Sequence, residues 1–197
     1  FSWIAAGLYY QNVGCVACGD VVVNGAVTGG ATVCNGQPSP TLTLTNYDGD
    51  IVRWEYSTDN GATWQPFNHV LPTYTSAPLQ QTTWFRAIVR RGECAATPSA
   101  HTVVTVVPAS AGGSVQSNQT ICRGTAPAPL TLGGHAGAIV RWERSTNCPG
   151  FGLPQTIAHT GVTYQPPALN EPTCFRAVVR NGQCPEAAST PVMINFH

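Results

Sequence analysis

Hydrophobic and polar residues alternate along much of this chain, always in short runs. Thr41-Leu42-Thr43-Leu44-Thr45 has a period of two, and Thr102–Val107 and Pro191–Phe196 follow it more loosely. That period sends successive side chains to opposite faces of a strand. The runs are rich in Val, Ile, Thr and aromatic residues, and Gly, Pro and Asn punctuate them about every 8–12 residues, as in a β-sandwich. No segment sustains helical spacing.

The pattern also repeats. Thr32-Val33-Cys34-Asn35-Gly36 returns as Thr120-Ile121-Cys122-Arg123-Gly124, and Ile51-Val52-Arg53-Trp54-Glu55 returns as Ile139-Val140-Arg141-Trp142-Glu143, both 88 residues on. Phe85-Arg86-Ala87-Ile88-Val89-Arg90 returns as Phe175-Arg176-Ala177-Val178-Val179-Arg180, now 90 residues on, and Cys94 and Cys184 keep that spacing. Three blocks in one order, with one two-residue insertion, mark two homologous units. The expected organisation is all-β: immunoglobulin-like sandwiches over residues 26–108 and 109–197, preceded by a short N-terminal strand segment, residues 1–25. Within a unit, Val52, Trp54 and Tyr56 should share one strand face and Arg53 and Glu55 the other. Trp54 and Trp142 are then core residues. Phe85, Ala87 and Val89 should face inward, with Arg86 and Arg90 outward. Glu55 with Arg86, and Glu143 with Arg176, should form outward charge pairs across neighbouring strands.

Composition narrows the function. Only 9% of the 197 residues are charged, nine acidic against nine Arg, and there is no Lys. A typical soluble domain carries about 25%. A neutral chain has no electrostatic footprint for nucleic acid or an anionic membrane. With 43% hydrophobic residues it has enough to bury, which argues against disorder. The uncharged stretches 21–47 and 94–122 are too interrupted by Gly, Pro, Thr and Asn to insert in a membrane. The chain opens at Phe1 with no signal peptide, as expected of a mature product or a fragment. Eight cysteines, with one unanswered C-x-x-C at Cys15 and Cys18, read as disulfides in an oxidising compartment rather than a zinc site.

The blocks T-I/V-C-x-G, V-R-W-E-x-S-T and F-R-A-V-V-R-N-G-x-C, followed by a Pro-Val-x-Ile strand, resemble the immunoglobulin-like repeats of Bacteroidota surface proteins. That family comprises adhesins and gliding-motility proteins exported by the type IX secretion system. The resemblance implies an extracellular stalk or adhesive array at the cell surface, and it supplies no catalytic residues.

Cysteines shared by the two units suggest one bond in each, Cys34–Cys94 and Cys122–Cys184. Cys148 and Cys174, unique to the second unit, should pair across neighbouring antiparallel strands. Four cysteines allow three connectivities, so the map stays open. Cys15 and Cys18 bond each other, or one of them reaches another chain. Residues 1–25 look like the tail of a preceding repeat. The apolar run holding Phe1, Trp3, Ile4, Leu8, Tyr9 and Tyr10 should lie on the first unit or exchange as a strand with an identical subunit.

Candidate chemistry is sparse. Ser57-Thr58-Asp59-Asn60-Gly61-Ala62-Thr63-Trp64 resembles the Asp box of sialidases and other propellers, a hairpin turn away from the active site. Asp48 and Asp50 share a loop that could hold Ca²⁺ but reads better as a plain turn. His69, His101, His135, His159 and His197 show no metal spacing, and no metal or cofactor is expected. The reading is a non-enzymatic, disulfide-stabilised adhesin segment or filament subunit, with neighbouring repeats or identical subunits as partners. The alternative is a carbohydrate-binding module of a secreted hydrolase, in which Trp64 and Trp84 would face surface glycans.

Overall fold

Strands form where β-branched and aromatic residues alternate with Thr, Arg and Asn, and each stops at a Gly, Pro or Asn turn. The computed structural model describes residues 23–116 and 118–197, and every regular element among them is a strand. The exchange candidates Phe1, Trp3, Ile4, Leu8, Tyr9 and Tyr10, together with Cys15 and Cys18, lie outside the described residues.

The first repeat comprises β1 (Asn24–Thr28), β2 (Thr32–Cys34), β3 (Leu42–Tyr47), β4 (Asp50–Ser57), β5 (Gln65–Phe67), β6 (Thr73–Tyr74), β7 (Thr83–Arg90), β8 (Thr97–Pro98) and β9 (Thr102–Val107). They form a three-stranded sheet, β1-β3-β6, and a six-stranded one, β2-β9-β7-β4-β5 with β8 beside β7. The second repeat comprises β10 (Ser114–Val115), β11 (Gln119–Ile121), β12 (Leu130–Gly133), β13 (Ala138–Ser145), β14 (Gln155–Ile157), β15 (Thr163–Tyr164), β16 (Thr173–Arg180), β17 (Ala187–Ala188) and β18 (Val192–Phe196). Its sheets are β10-β12-β15 and β11-β18-β16-β13-β14 with β17 beside β16. This is an all-β chain of two repeated sandwiches. The two-residue insertion falls in one place, the loop after β13, which runs over 146–154 where the first repeat has 58–64.

β1 and β2 belong to different sheets, and the chain changes sheet at Gly29-Gly30. Gly29 has φ +92°, and a Cβ on it would lie 2.4 Å from the Thr41 carbonyl oxygen, so only glycine fits there. After the crossing β2 runs parallel to β9, with Cys34 opposite Val107, and β11 runs parallel to β18, with Ile121 opposite Phe196.

Side chains from both sheets fill each core. In the second repeat the core includes Leu130, Ile139, Trp142, Phe175, Val179, Val192 and Ile194. Trp54 and Trp142 are fully buried. Each indole N–H donates to a backbone carbonyl, that of Leu71 (3.1 Å) and that of Gly161 (3.0 Å), which satisfies the one polar atom of the ring. On β7, Phe85, Ala87 and Val89 are buried and Arg90 is exposed, as alternation predicts.

On β4 the expected faces need correction. Ile51 pairs with Val89 and Arg53 with Ile88, so Val52 is a bulged residue with no opposite number. The bulge resets the alternation and puts Ile51, not Val52, on the core face with Trp54. Tyr56, expected beside Trp54, is exposed. The same bulge recurs at Val140, between Ile139 and Arg141.

The compact units do not coincide with the repeats. Residues 31–39 and 76–82 of the first repeat group with 104–197, and the remainder of the first repeat forms its own unit.

Candidate functional site

The chemistry of this chain lies in its disulfides and in one charged face of each large sheet. Cys148 is bonded to Cys174 (Cα–Cα 5.9 Å), as expected. Cys174 stands opposite Ser145 in the β13–β16 register, so the loop that leaves β13 starts beside it. The other expected pairs do not form. Cys34 is bonded to Cys184 (Cα–Cα 5.6 Å, 150 residues apart in sequence), Cys94 is disulfide-bonded elsewhere, and Cys122 is exposed and free.

The parallel β2–β9 pairing explains the correction. It carries Cys34 to the end of the sheet where β7 begins, and there Asn35 donates to the Gln80 carbonyl (3.0 Å) and Gly36 N–H to the Leu79 carbonyl (2.8 Å). Cys94 lies beyond Arg90, where β7 finishes, after eight residues of strand, roughly 25 Å. The partner that is near comes from the turn 181–184. Asn181 donates from its side chain to the Pro108 carbonyl (2.8 Å) and from its backbone to Ser110 Oγ (2.9 Å). Pro108 follows Val107, which is paired with Cys34, so the turn that grips Pro108 brings Cys184 to Cys34.

The outward charge pairs are present, but their carboxylates are buried. Glu55 is only 5% exposed and Glu143 only 4%. Arg53 reaches Glu55 Oε1 (2.8 Å) and Arg86 reaches Oε2 (2.7 Å). Likewise Arg141 holds Glu143 Oε1 (2.8 Å) and Arg176 holds Oε2 (2.7 Å). Each carboxylate is thus clamped between two guanidiniums. An aromatic ring caps the clamp in both repeats: Arg86 lies 4.0 Å from the centre of Trp64, and Arg176 lies 4.2 Å from that of Phe151. Trp64 and Phe151 are not aligned in sequence. Phe151 comes from the longer loop and reaches the Arg at φ +50°, a strained setting for a non-glycine residue. Among the described residues, the chain of charges continues in the second repeat alone. Arg141 also binds Glu186 (2.7 Å), which Arg180 contacts in turn. The hydrogen bond to Glu186, then that to Glu143, raises the Arg141 pKa, and the hydrogen bond from Arg141 lowers that of Glu186.

The Asp-box segment is a self-contained turn. Thr63 donates to Asp59 through its backbone N–H (2.9 Å) and its hydroxyl, the Ser57 hydroxyl donates to Asp59 as well (2.7 Å), and Gly61 N–H donates to Ser57 Oγ (2.9 Å). The bonds from the Thr63 hydroxyl and N–H, followed by that from Ser57, lower the Asp59 pKa to about 2. Gly61 packs on both indoles: a Cβ there would meet Trp84 at 3.3 Å and Trp64 at 3.5 Å. Trp84 stacks on His101 at 4.3 Å. Trp64 and Trp84 are therefore half-buried neighbours, and Arg86 and His101 each cover a ring face.

Asp48 is engaged by Arg91 (3.1 Å), and Asp50 stands opposite Arg90. Among the described residues no three His, Cys, Asp or Glu side chains gather as metal ligands. His69 and His159, which the sequence marks only as lacking metal spacing, occupy equivalent places in the two repeats. Each ring Nε2 lies 2.7 Å from a carbonyl four residues ahead, that of Thr73 or Thr163, and each ring packs on a Tyr, Tyr74 or Tyr164. Their 90-residue offset was the available signal. A cleft of about 500 Å³ follows from the insertion, lined among others by Arg144, Asn147, Leu153, Gln155, Asn170 and Glu171. Leu153 is 95% exposed at its rim.

A family model described as Domain of unknown function (DUF8696) matches residues 23–108 and, separately, 111–197. No curated protein matches the chain in sequence. Among solved structures, a marsupial T cell receptor superposes with a TM-score of 0.58 at 13% identity, over 87% of this chain and 72% of that one. The likeness shows an immunoglobulin-like fold. Fibronectin(III)-like modules of Clostridium thermocellum CbhA (14% identity, 86% of this chain and 89% of that one) and chicken CNTN1 FN1-FN3 domains (9%, 88% and 66%) superpose more loosely. Their TM-scores, 0.37 and 0.42, are too low to bear on fold or function. Tandem sandwiches held by disulfides fit a structural or adhesive module in an oxidising, extracellular setting.

Proposed function

The chain belongs to the family described as Domain of unknown function (DUF8696), which it carries twice, and on that premise we propose that it is a load-bearing, non-catalytic segment of an extracellular surface array. The finer form of this reading is a stalk or adhesin segment of the kind that Bacteroidota export through type IX secretion. Its partners are neighbouring repeats or identical subunits. Carbohydrate binding is a weaker reading, because Trp64 and Trp84, the aromatics it would use, each have a face covered by Arg86 or His101.

One observation carries the reading: Cys34–Cys184 closes a loop of 150 residues. Tension on the chain passes through that bond, so the strands between the two cysteines are shielded from unravelling. In the chain-entropy picture, closing such a loop stabilises the fold by about 5 kcal/mol. The experiment is to pull single molecules by their ends. Without reductant, residues 35–183 release no length. With reductant, unfolding releases about 500 Å more, at roughly 3.4 Å per residue. The same long release without reductant would refute a load-bearing role for the bond.

A further inference from the structure

Cys122 is exposed and free, yet it occupies in the second repeat the place that Cys34 occupies in the first, and Cys34 is bonded. The two settings share the backbone contacts of the turn that follows the cysteine. Each cysteine ends or follows a strand that runs parallel to the last strand of its own sheet. The turn beyond it returns a backbone N–H to the cysteine carbonyl, from Gln37 to Cys34 (2.9 Å) and from Thr125 to Cys122 (3.1 Å). The glycine two residues on donates to a leucine carbonyl, Gly36 to Leu79 (2.8 Å) and Gly124 to Leu169 (2.7 Å).

The partner of Cys34 is not in its own repeat. It is Cys184, in the turn that follows β16 of the next repeat. Cys94, the matching turn cysteine of the first repeat, is disulfide-bonded too, and not to Cys34. The bonding is therefore staggered by one repeat. The cysteine that follows the sheet-switching strand of one repeat takes the turn cysteine of the next.

We infer that Cys122 is an attachment site for a further copy of this repeat, which it bonds through the cysteine at that copy's 184 position. The inference rests on the array reading above and names the covalent joint of that array. The two thiols lose two protons and two electrons as the S–S bond forms. A small-molecule disulfide accepts them and leaves as two thiols. The further copy can belong to the same polypeptide or to another molecule, and the chemistry at Cys122 is the same.

The test extends the full chain beyond His197 with another copy of residues 109–197 and refolds it in a mixture of reduced and oxidised glutathione. Bonds are then mapped by non-reducing digestion and mass spectrometry. The expected result is a peptide linking Cys122 to the added copy's 184-position cysteine, complete loss of Cys122 alkylation, and retention of Cys34–Cys184. A second arm mixes the unextended chain with a Cys34→Ser, Cys122→Ser chain, whose Cys184 is a free thiol and which carries no Cys122 of its own. A Cys122–Cys184 link there assigns the joint to separate molecules as well, whereas a link in the extended chain alone assigns it to one polypeptide. If Cys122 stays alkylatable in both arms, carries only glutathione, or bonds only to another Cys122, the inference is overturned. If the pulling experiment meanwhile shows load passing through Cys34–Cys184, the array reading survives that failure.

Discussion

The two repeats anchor the same loop to the same strand by different chemistry. In the first, the loop after β4 folds as an Asp-box turn, and its Gly61 lies flat on Trp84, which His101 backs. In the second, Cys148 and Cys174 replace Asn60 and Trp84, and a disulfide does what the indole did. The longer loop then has to supply a new ring for the Arg clamp, and Phe151 provides it. The junction is kept while its residues change. Holding the loop against the charged sheet is therefore the constraint that both repeats share, and the Asp box is one way to satisfy it.

The sharpest way to break the comparison is at the bond that neither repeat owns alone. Cys34→Ser should lower stability by up to about 5 kcal/mol, the loop-closure value for 150 residues, seen as a lower denaturant midpoint under oxidising conditions. Cys148→Ser with Cys174→Ser closes no loop of 26 residues and should cost less, up to about 3.5 kcal/mol, with the loss confined to the second repeat's amide-exchange protection.

The clamps should respond unequally. Glu55→Gln leaves both Arg53 and Arg86 without an anion, whereas Glu143→Gln leaves Arg141 still bound to Glu186. Each should cost about 1.5–3 kcal/mol, the range for hydrogen bonds to charged groups, with Glu55→Gln the more damaging. Adding Glu186→Gln to Glu143→Gln should erase the difference in denaturation midpoints.

The smallest effect is the acid response of the Asp-box turn. Its folded pKa of about 2 lies below the ordinary 3.8. The turn's stabilisation is therefore complete above pH about 4 and lost as pH falls through about 2. Amide resonances of Asn60–Thr63 should shift over that window and stay fixed in Asp59→Asn. The second repeat, with Asn147 at that place, should show no such step.

Much of this was legible in the sequence. The 88- and 90-residue offsets located the equivalent strands β2 and β11, β4 and β13, and β7 and β16, and bracketed the insertion between β13 and β16. The Cys148–Cys174 pair followed from their places at the ends of adjacent strands. The bulges at Val52 and Val140 were hidden, because counting by twos runs straight through an extra residue. The inter-repeat bond was hidden for a different reason. A three-residue strand such as Thr32–Cys34 carries no sign of whether it will pair in parallel with Thr102–Val107, and that pairing alone decides which end of the sandwich Cys34 reaches. Phe151 replaced Trp64 without aligning with it, so similarity in sequence could not reveal similarity in position.

The staggered bonding is the claim on which the rest turns, and a non-reducing peptide map of the native, alkylated chain tests it directly. The expected map holds a linked peptide pair containing Cys34 and Cys184, with Cys122 carrying the alkyl label. A map that instead joins Cys34 to Cys94 and Cys122 to Cys184 would contradict it, and would return each repeat to a bond of its own.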